Sequence, residues 1–160
     1  MYCFQPPSDD VFNNYPKIKE YDILEENVRE RCIYEVIGDK RNDDDEHVFF
    51  NYLYNMKKEC LEKKGTIKES CSRNVMWELE IDWSKVEKCM NHSFTDVEER
   101  GEDNILLQRD RLHANELGVH QVPALAINSH RYRGEMKGED IFQSICASYR
   151  VNAIPTVCTE

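Results

Sequence analysis

Seven cysteines in a chain of 160 residues constrain this fold more than any other feature, because no two of them are spaced as C-x-x-C. Six lie on or beside the apolar face of a segment with helical periodicity, where a neighbouring helix can staple them. Leu24, Val28, Cys32 and Val36 recur at i, i+4 and predict a helix from an Asp22 cap, with Glu25 three residues on, to a stop at Gly38. Phe49, Leu53, Met56 and Cys60 predict a second helix from Glu46 to Lys63, ended by Gly65. Thr66 and Glu69 read as a capping box for a third, carrying Ile67, Cys71, Val75 and Leu79. Asp82 opens a short fourth with Val86, Cys89 and Met90, and Ile105, Leu106, Leu112 and Leu117 give a fifth that Gly118 ends. Residues 1–19 hold three of the five prolines and read as an irregular arm.

Past Gly118 the pattern changes. Gln121-Val122-Pro123-Ala124-Leu125-Ala126-Ile127 is apolar without alternation, as in a strand covered on both faces. Asn128-Ser129 makes a turn, His130 to Arg133 returns as a more polar strand broken by Gly134, and a last helix from Gly138 to about Tyr149 buries Ile141, Phe142, Ile145 and Cys146. A Val-Pro step opening a buried strand, then a hairpin and a helix, is the order of the second half of a thioredoxin fold. The fold class expected is α+β, mainly helical. It comprises an arm (1–19), a disulfide-stapled helical insertion (20–92), a helix, hairpin and C-terminal helix (104–150) and a disulfide-tied tail (151–160), all in one thioredoxin-like domain or fragment of one.

Bulk properties exclude several functions. A net charge of −10 and a pI near 5.0 oppose binding to a phosphate backbone. No segment approaches the length of a membrane span, and Met1 to Pro7 lacks the basic and apolar regions of a signal peptide. The acidic runs Asn42 to Glu46 and Asp96 to Asp103 lack EF-hand spacing and read as solvated loops. No zinc-ligand spacing occurs, so neither a metal nor a cofactor is expected. The cysteines point to an oxidising compartment, and Asn91-His92-Ser93 is an N-glycosylation sequon. A secretory chain without a leader reads as a fragment or mature domain.

Disulfide exchange needs a depressed-pKa thiolate beside a resolving thiol, and no C-x-x-C supplies one, so no catalytic residue is assigned. The pairs expected are Cys71 with Cys89, Cys32 with Cys60 and Cys146 with Cys158, although six cysteines leave many connectivities open. Cys3 is left for a partner outside the chain. Two readings of Pro123 stand. It is either a cis-proline, which leaves the backbone of Gln121 and Val122 free to pair with an extended peptide, or an ordinary edge-strand proline. Arg131 and Arg133, flanking Tyr132, can engage a carboxylate or form a salt-bridged strand edge. His113, His120 and His130 are either a pH-sensing cluster or polar surface.

Pro123-Ala124-Leu125-Ala126-Ile127-Asn128, Tyr132-Arg133-Gly134 and Ile145-Cys146 closely resemble the luminal central region of the vacuolar sorting receptors. The resemblance extends upstream through Tyr2-Cys3, Pro6-Pro7, Asn27-Val28-Arg29 before Cys32, Val48 to Tyr52, Cys60, Cys71 and Val86-Glu87-Lys88-Cys89, and closes at Pro155-Thr156-Val157-Cys158. Phe49-Phe50 stand where plant members carry tryptophans, which suggests a distant member. The resemblance implies a type I membrane receptor with a protease-associated domain, this thioredoxin-like region, EGF-like repeats and one membrane span. It implies soluble vacuolar or lysosomal cargo proteins, or their sorting peptides, as partners, and a place in the secretory lumen between Golgi and prevacuolar compartment. Calcium in that family belongs with the EGF-like repeats. The first half of the thioredoxin fold lies upstream of Tyr2-Cys3 in that family, so a strand edge is expected to lie open here. The function expected is a non-catalytic cargo-binding or scaffold module, or one that only spaces its neighbours. The alternative is a thiol oxidoreductase or disulfide isomerase whose redox pair lies outside this chain.

Overall fold

The computed structural model describes residues 15–38, 43–95, 104–120 and 124–159, with 43–46 described by their backbone alone. The chain divides into two compact units, residues 2–109 and 110–160. The division falls inside a helix.

The first unit is helical. α1 (Glu20–Gly38) packs against α2 (Asp43–Asn55) and α4 (Trp83–Ser93). α2 runs on into a π-helical segment, Met56–Glu62, which packs against α3 (Glu69–Glu78). The sequence pattern missed this widening because an i, i+4 repeat such as Met56 and Cys60 suits both helix types. Gly65 ends the helix at φ +62, donating its N–H to Leu61 O. Val28, Cys32, Ile33, Tyr52, Met56, Cys60, Val75, Met76, Val86 and Met90 form the core.

Two cap assignments and one loop assignment change. Asp22 is not the residue before α1. It lies in the first turn, and its carboxylate accepts the Lys19 N–H at 2.9 Å. Thr66 does not cap α3 in a box with Glu69: its hydroxyl accepts from Lys68 N–H, and α3 starts only at Glu69. Asp43 to Glu46 open α2 instead of forming a loop, consistent with the preference for acidic residues at helix N-termini. Asp82 does cap α4, accepting from Lys85 N–H. Residues 96–103 lie outside the described residues, but their flanks meet, since Phe94 and Asn104 form an antiparallel bridge. Asn104 also caps α5 (Ile105–Glu116), its Oδ1 accepting from Leu106 and Leu107 N–H.

In the second unit α5 ends at Gly118, φ +67, with Val119 N–H on Ala114 O. A two-stranded antiparallel sheet follows, β1 (Ala126–Ile127) and β2 (His130–Arg131), paired Ala126 to Arg131 and Ile127 to His130. Then come α6 (Gly138–Ala147) and two short turns of 3₁₀ helix, Val151–Ala153 and Thr156–Cys158.

Two burial expectations are corrected here. Leu125, Ala126 and Ile127 are half-buried, because no third strand joins the pair among the described residues. No residue of α6 is fully buried: Phe142 is 44% and Ile145 37% exposed, and Ile141 and Cys146 are half-buried. A two-stranded hairpin offers too little surface to cover an amphipathic helix face.

Candidate functional site: an open hairpin and a disulfide frame

The hairpin begins with its turn. Asn128 and Ser129 both adopt left-handed backbone, at φ 49 and 64, the pair of positive angles that a type I′ two-residue turn requires. Asn tolerates this conformation through its short polar side chain. Tyr132 N–H donates to Leu125 O at 2.8 Å, which continues the ladder one pair beyond the strands. Antiparallel pairing alternates, so with Ile127–His130 and Leu125–Tyr132 facing inward, Ala124 and Ala126 turn their backbone groups to the outer edge of β1. That edge is unpaired among the described residues.

The side chains expected to form a carboxylate clamp take separate roles. Arg131 donates from Nη1 to Gly118 O at 3.3 Å, tying β2 to the turn that closes α5. Tyr132 donates from its hydroxyl to Glu135 O at 3.0 Å, and its ring end lies where a Cβ on residue 134 would stand, so a side chain there would displace the ring. Arg133 is exposed. Gln121, Val122 and Pro123 lie outside the described residues. The three histidines stand on separate elements: His113 sits in α5, 3.5 Å from Glu116, His120 follows the Gly118 turn, and His130 opens β2.

Six cysteines form three bridges: Cys32–Cys89, Cys60–Cys71 and Cys146–Cys158. The first two replace the expected Cys32–Cys60 and Cys71–Cys89. The reason lies in packing. α1 lies against α4, which brings Cys89 to Cys32, while α3 folds back on the π-helical segment and brings Cys71 to Cys60. Cys3 lies outside the described residues. The sequon falls within α4, with Asn91 half-buried and Ser93 buried, its hydroxyl donating to Met90 O and accepting from Asn104 Nδ2. Among the described residues no three His, Cys, Asp or Glu side chains converge as metal ligands.

Sequence reasoning missed a buried polar network in the helical unit. Arg29, without measurable exposure, pairs through Nη1 with Glu26 Oε2. Tyr52 donates to Glu26 Oε1 at 2.6 Å, and Ser72 Oγ lies 2.6 Å from the Tyr52 hydroxyl. Burial pushes the Glu26 carboxyl above the usual range, opposed by Arg29 and Tyr52, and pushes the Tyr52 phenol well up. Burial, reinforced by the Glu26 charge, raises Glu30 to about 8. The i, i+3 spacing of Glu26 and Arg29 was the only trace of this network in the sequence, and the same spacing marks countless surface pairs.

Together these features define a class: a disulfide-braced helical module joined to a short hairpin with an open edge. The chain belongs to the vacuolar sorting receptor thioredoxin-like domain family, whose model matches residues 1–146. Vacuolar-sorting receptors 4 and 3 of Arabidopsis thaliana are each 25% identical to it over 161 residues. Vacuolar-sorting receptor 1 of Pisum sativum is likewise 25% identical over 161 residues. Each alignment covers 98% of this chain and 24% of the relative, so the chain spans about a quarter of the length of these relatives. No described helix is long and apolar enough to cross a membrane.

Proposed function

We propose that this chain is a non-catalytic luminal module of a vacuolar or lysosomal sorting receptor, which presents the open edge of β1 to an extended segment of a soluble cargo protein. Family membership over residues 1–146 is the observation that carries the reading. The order β1, β2, α6 suits the second half of a thioredoxin-like fold. The outward backbone groups of Ala124 and Ala126 suit strand addition. Arg133, exposed just past β2, supplies a cation for a cargo carboxylate. Three disulfides suit the secretory lumen between Golgi and prevacuolar compartment, and the membrane anchor of a receptor would belong to a separate segment.

The non-catalytic reading is favoured over a thiol oxidoreductase because six cysteines are committed to bridges that brace helices. The test is capture of a vacuolar cargo propeptide by the immobilised chain. Substitution of Ala126 by Pro removes the outer-edge N–H, and capture should fall at least about tenfold, as expected for a lost backbone pairing with its register. Capture that is unchanged in this variant, or absent from the native chain while the longer receptor binds, leaves the module as a scaffold and sinks the cargo-edge reading.

A further inference from the structure

Asn91-His92-Ser93 is the only N-x-S/T sequence in the chain, and the hairpin reading leaves it unused. It occupies the last turn of α4. Residues two apart on an α-helix lie about 200° round its axis, so their side chains do not face each other. Asn91, half-buried, falls with exposed Glu87 and Lys88 on the outer side of α4. Ser93 falls one turn past Cys89, on the face that meets α1.

Ser93 is held on that face. It is 4% exposed, and its hydroxyl donates to Met90 O at 2.7 Å and accepts from Asn104 Nδ2 at 2.8 Å. Just beyond it, buried Phe94 pairs with Asn104 in the antiparallel bridge, so the end of α4 is pinned to the start of α5. An enzyme that reads Asn and Ser together needs both side chains on one side of the backbone. Extended chain places residues i and i+2 that way, and a helix does not. Folding therefore separates the acceptor amide from the hydroxyl that identifies it.

We propose that Asn91 is an N-glycan acceptor open only before α4 forms, and that closure of Cys32–Cys89, one turn from Ser93, shuts it. The co-substrate is a lipid-pyrophosphate-linked oligosaccharide. Asn91 Nδ2 bonds to C1 of the first sugar and the bond from C1 to the phosphate oxygen breaks. The lipid pyrophosphate leaves with the electron pair, and a base of the transferase takes the amide proton. The glycan then stands on the outer side of α4, away from α1, so it does not oppose the bridge. Only the setting of this step rests on the luminal placement proposed above.

The test uses purified oligosaccharyltransferase with that donor, so its outcome does not depend on the compartment. Two acceptors are compared: the native oxidised chain, and the same chain with its thiols reversibly blocked as methyl disulfides and its helices lost by circular dichroism. The blocked chain should gain the mass of one oligosaccharide. The native chain should gain it at least about tenfold more slowly, because transfer then waits on local opening of α4. Asn91→Gln should abolish the gain in the blocked chain. After unblocking and oxidation, the glycosylated chain should yield the Cys32–Cys89 pair in a non-reducing peptide map. Transfer to the native chain as fast as to the blocked one, or no transfer to the blocked chain, would overturn the proposal. So would a gain that survives Asn91→Gln, or a glycosylated chain that cannot close Cys32–Cys89.

Discussion

Tyr52 and Glu26 meet at 2.6 Å inside the helical unit, a hydroxyl on α2 donating to a carboxylate on α1 that Arg29 holds from its other oxygen. This contact fixes α2 against α1 through a polar bond in an otherwise apolar interior, with Ser72 bringing α3 to the same point. Removal of the hydroxyl leaves the buried Glu26 oxygen without that donor. Tyr52→Phe is expected to lower stability by about 1–3 kcal/mol, measured by urea unfolding, a larger loss than an exposed Tyr54→Phe gives. Equal losses in the two variants would show that the network adds nothing.

The bridges differ in the loops they close. Cys32–Cys89 spans a sequence separation of 57 and Cys60–Cys71 one of 11. On the chain-entropy account the first stabilises by roughly 4 kcal/mol and the second by roughly 3 kcal/mol. Paired alanine substitutions should reproduce that order in denaturant midpoints. A non-reducing peptide map of the native chain should recover Cys32 with Cys89, and recovery of Cys32 with Cys60 would contradict the packing of α1 on α4.

Glu30 gives the helical unit a pH dependence of stated sign. Its carboxyl titrates at about 8 when folded and at 4.5 when unfolded, mainly because burial disfavours the charge. Between these values the folded state holds the extra proton, so its contribution to stability is complete below pH 4.5 and is lost as pH rises to 8. Glu30→Gln should therefore stabilise the chain at pH 8, on the order of 1–3 kcal/mol, and change little at pH 4. Melting curves at the two pH values decide it, and a gain of equal size at both would point to packing instead of charge.

Gly134 is the residue that lets Tyr132 lie flat on the end of the hairpin. In Gly134→Ala the new methyl group meets the ring, so the hydroxyl should leave Glu135 O and the ring should become mobile. The ring NMR signals of Tyr132 are the measure, and signals matching those of the native chain would refute the contact. Ser129→Gly should act oppositely, stabilising the hairpin by about 0.5–1 kcal/mol, because glycine adopts the left-handed angle without strain.

The helices were legible because their apolar repeats and stops are local. Gly38 closes α1, and Gly65 and Gly118 supply the positive angles that end the next helix and α5. Asn128-Ser129 was legible as a turn for the same reason. Which cysteine meets which was not, because it depends on α1 choosing α4 as neighbour, a choice no short spacing records. Glu26 and Arg29 were invisible because periodicity counts apolar residues, and a buried ion pair interrupts the count without changing the helix. Phe142 and Ile145 look like core in any window that includes them, yet exposure depends on what the rest of the chain brings to them.

The Cys32–Cys89 bridge also sets a hazard in time. A chain made from its N-terminus presents Cys32 to Cys60 and Cys71 before Cys89 exists. Besides Cys3, the thiol of α1 thus meets two wrong partners within the helical unit, each available earlier than the right one. If Cys60 and Cys71 close their short loop first, these two competitors are removed and Cys32 is kept for α4. The local bridge then acts as a chaperone for the distant one, and losing it would scramble more than the loop it closes.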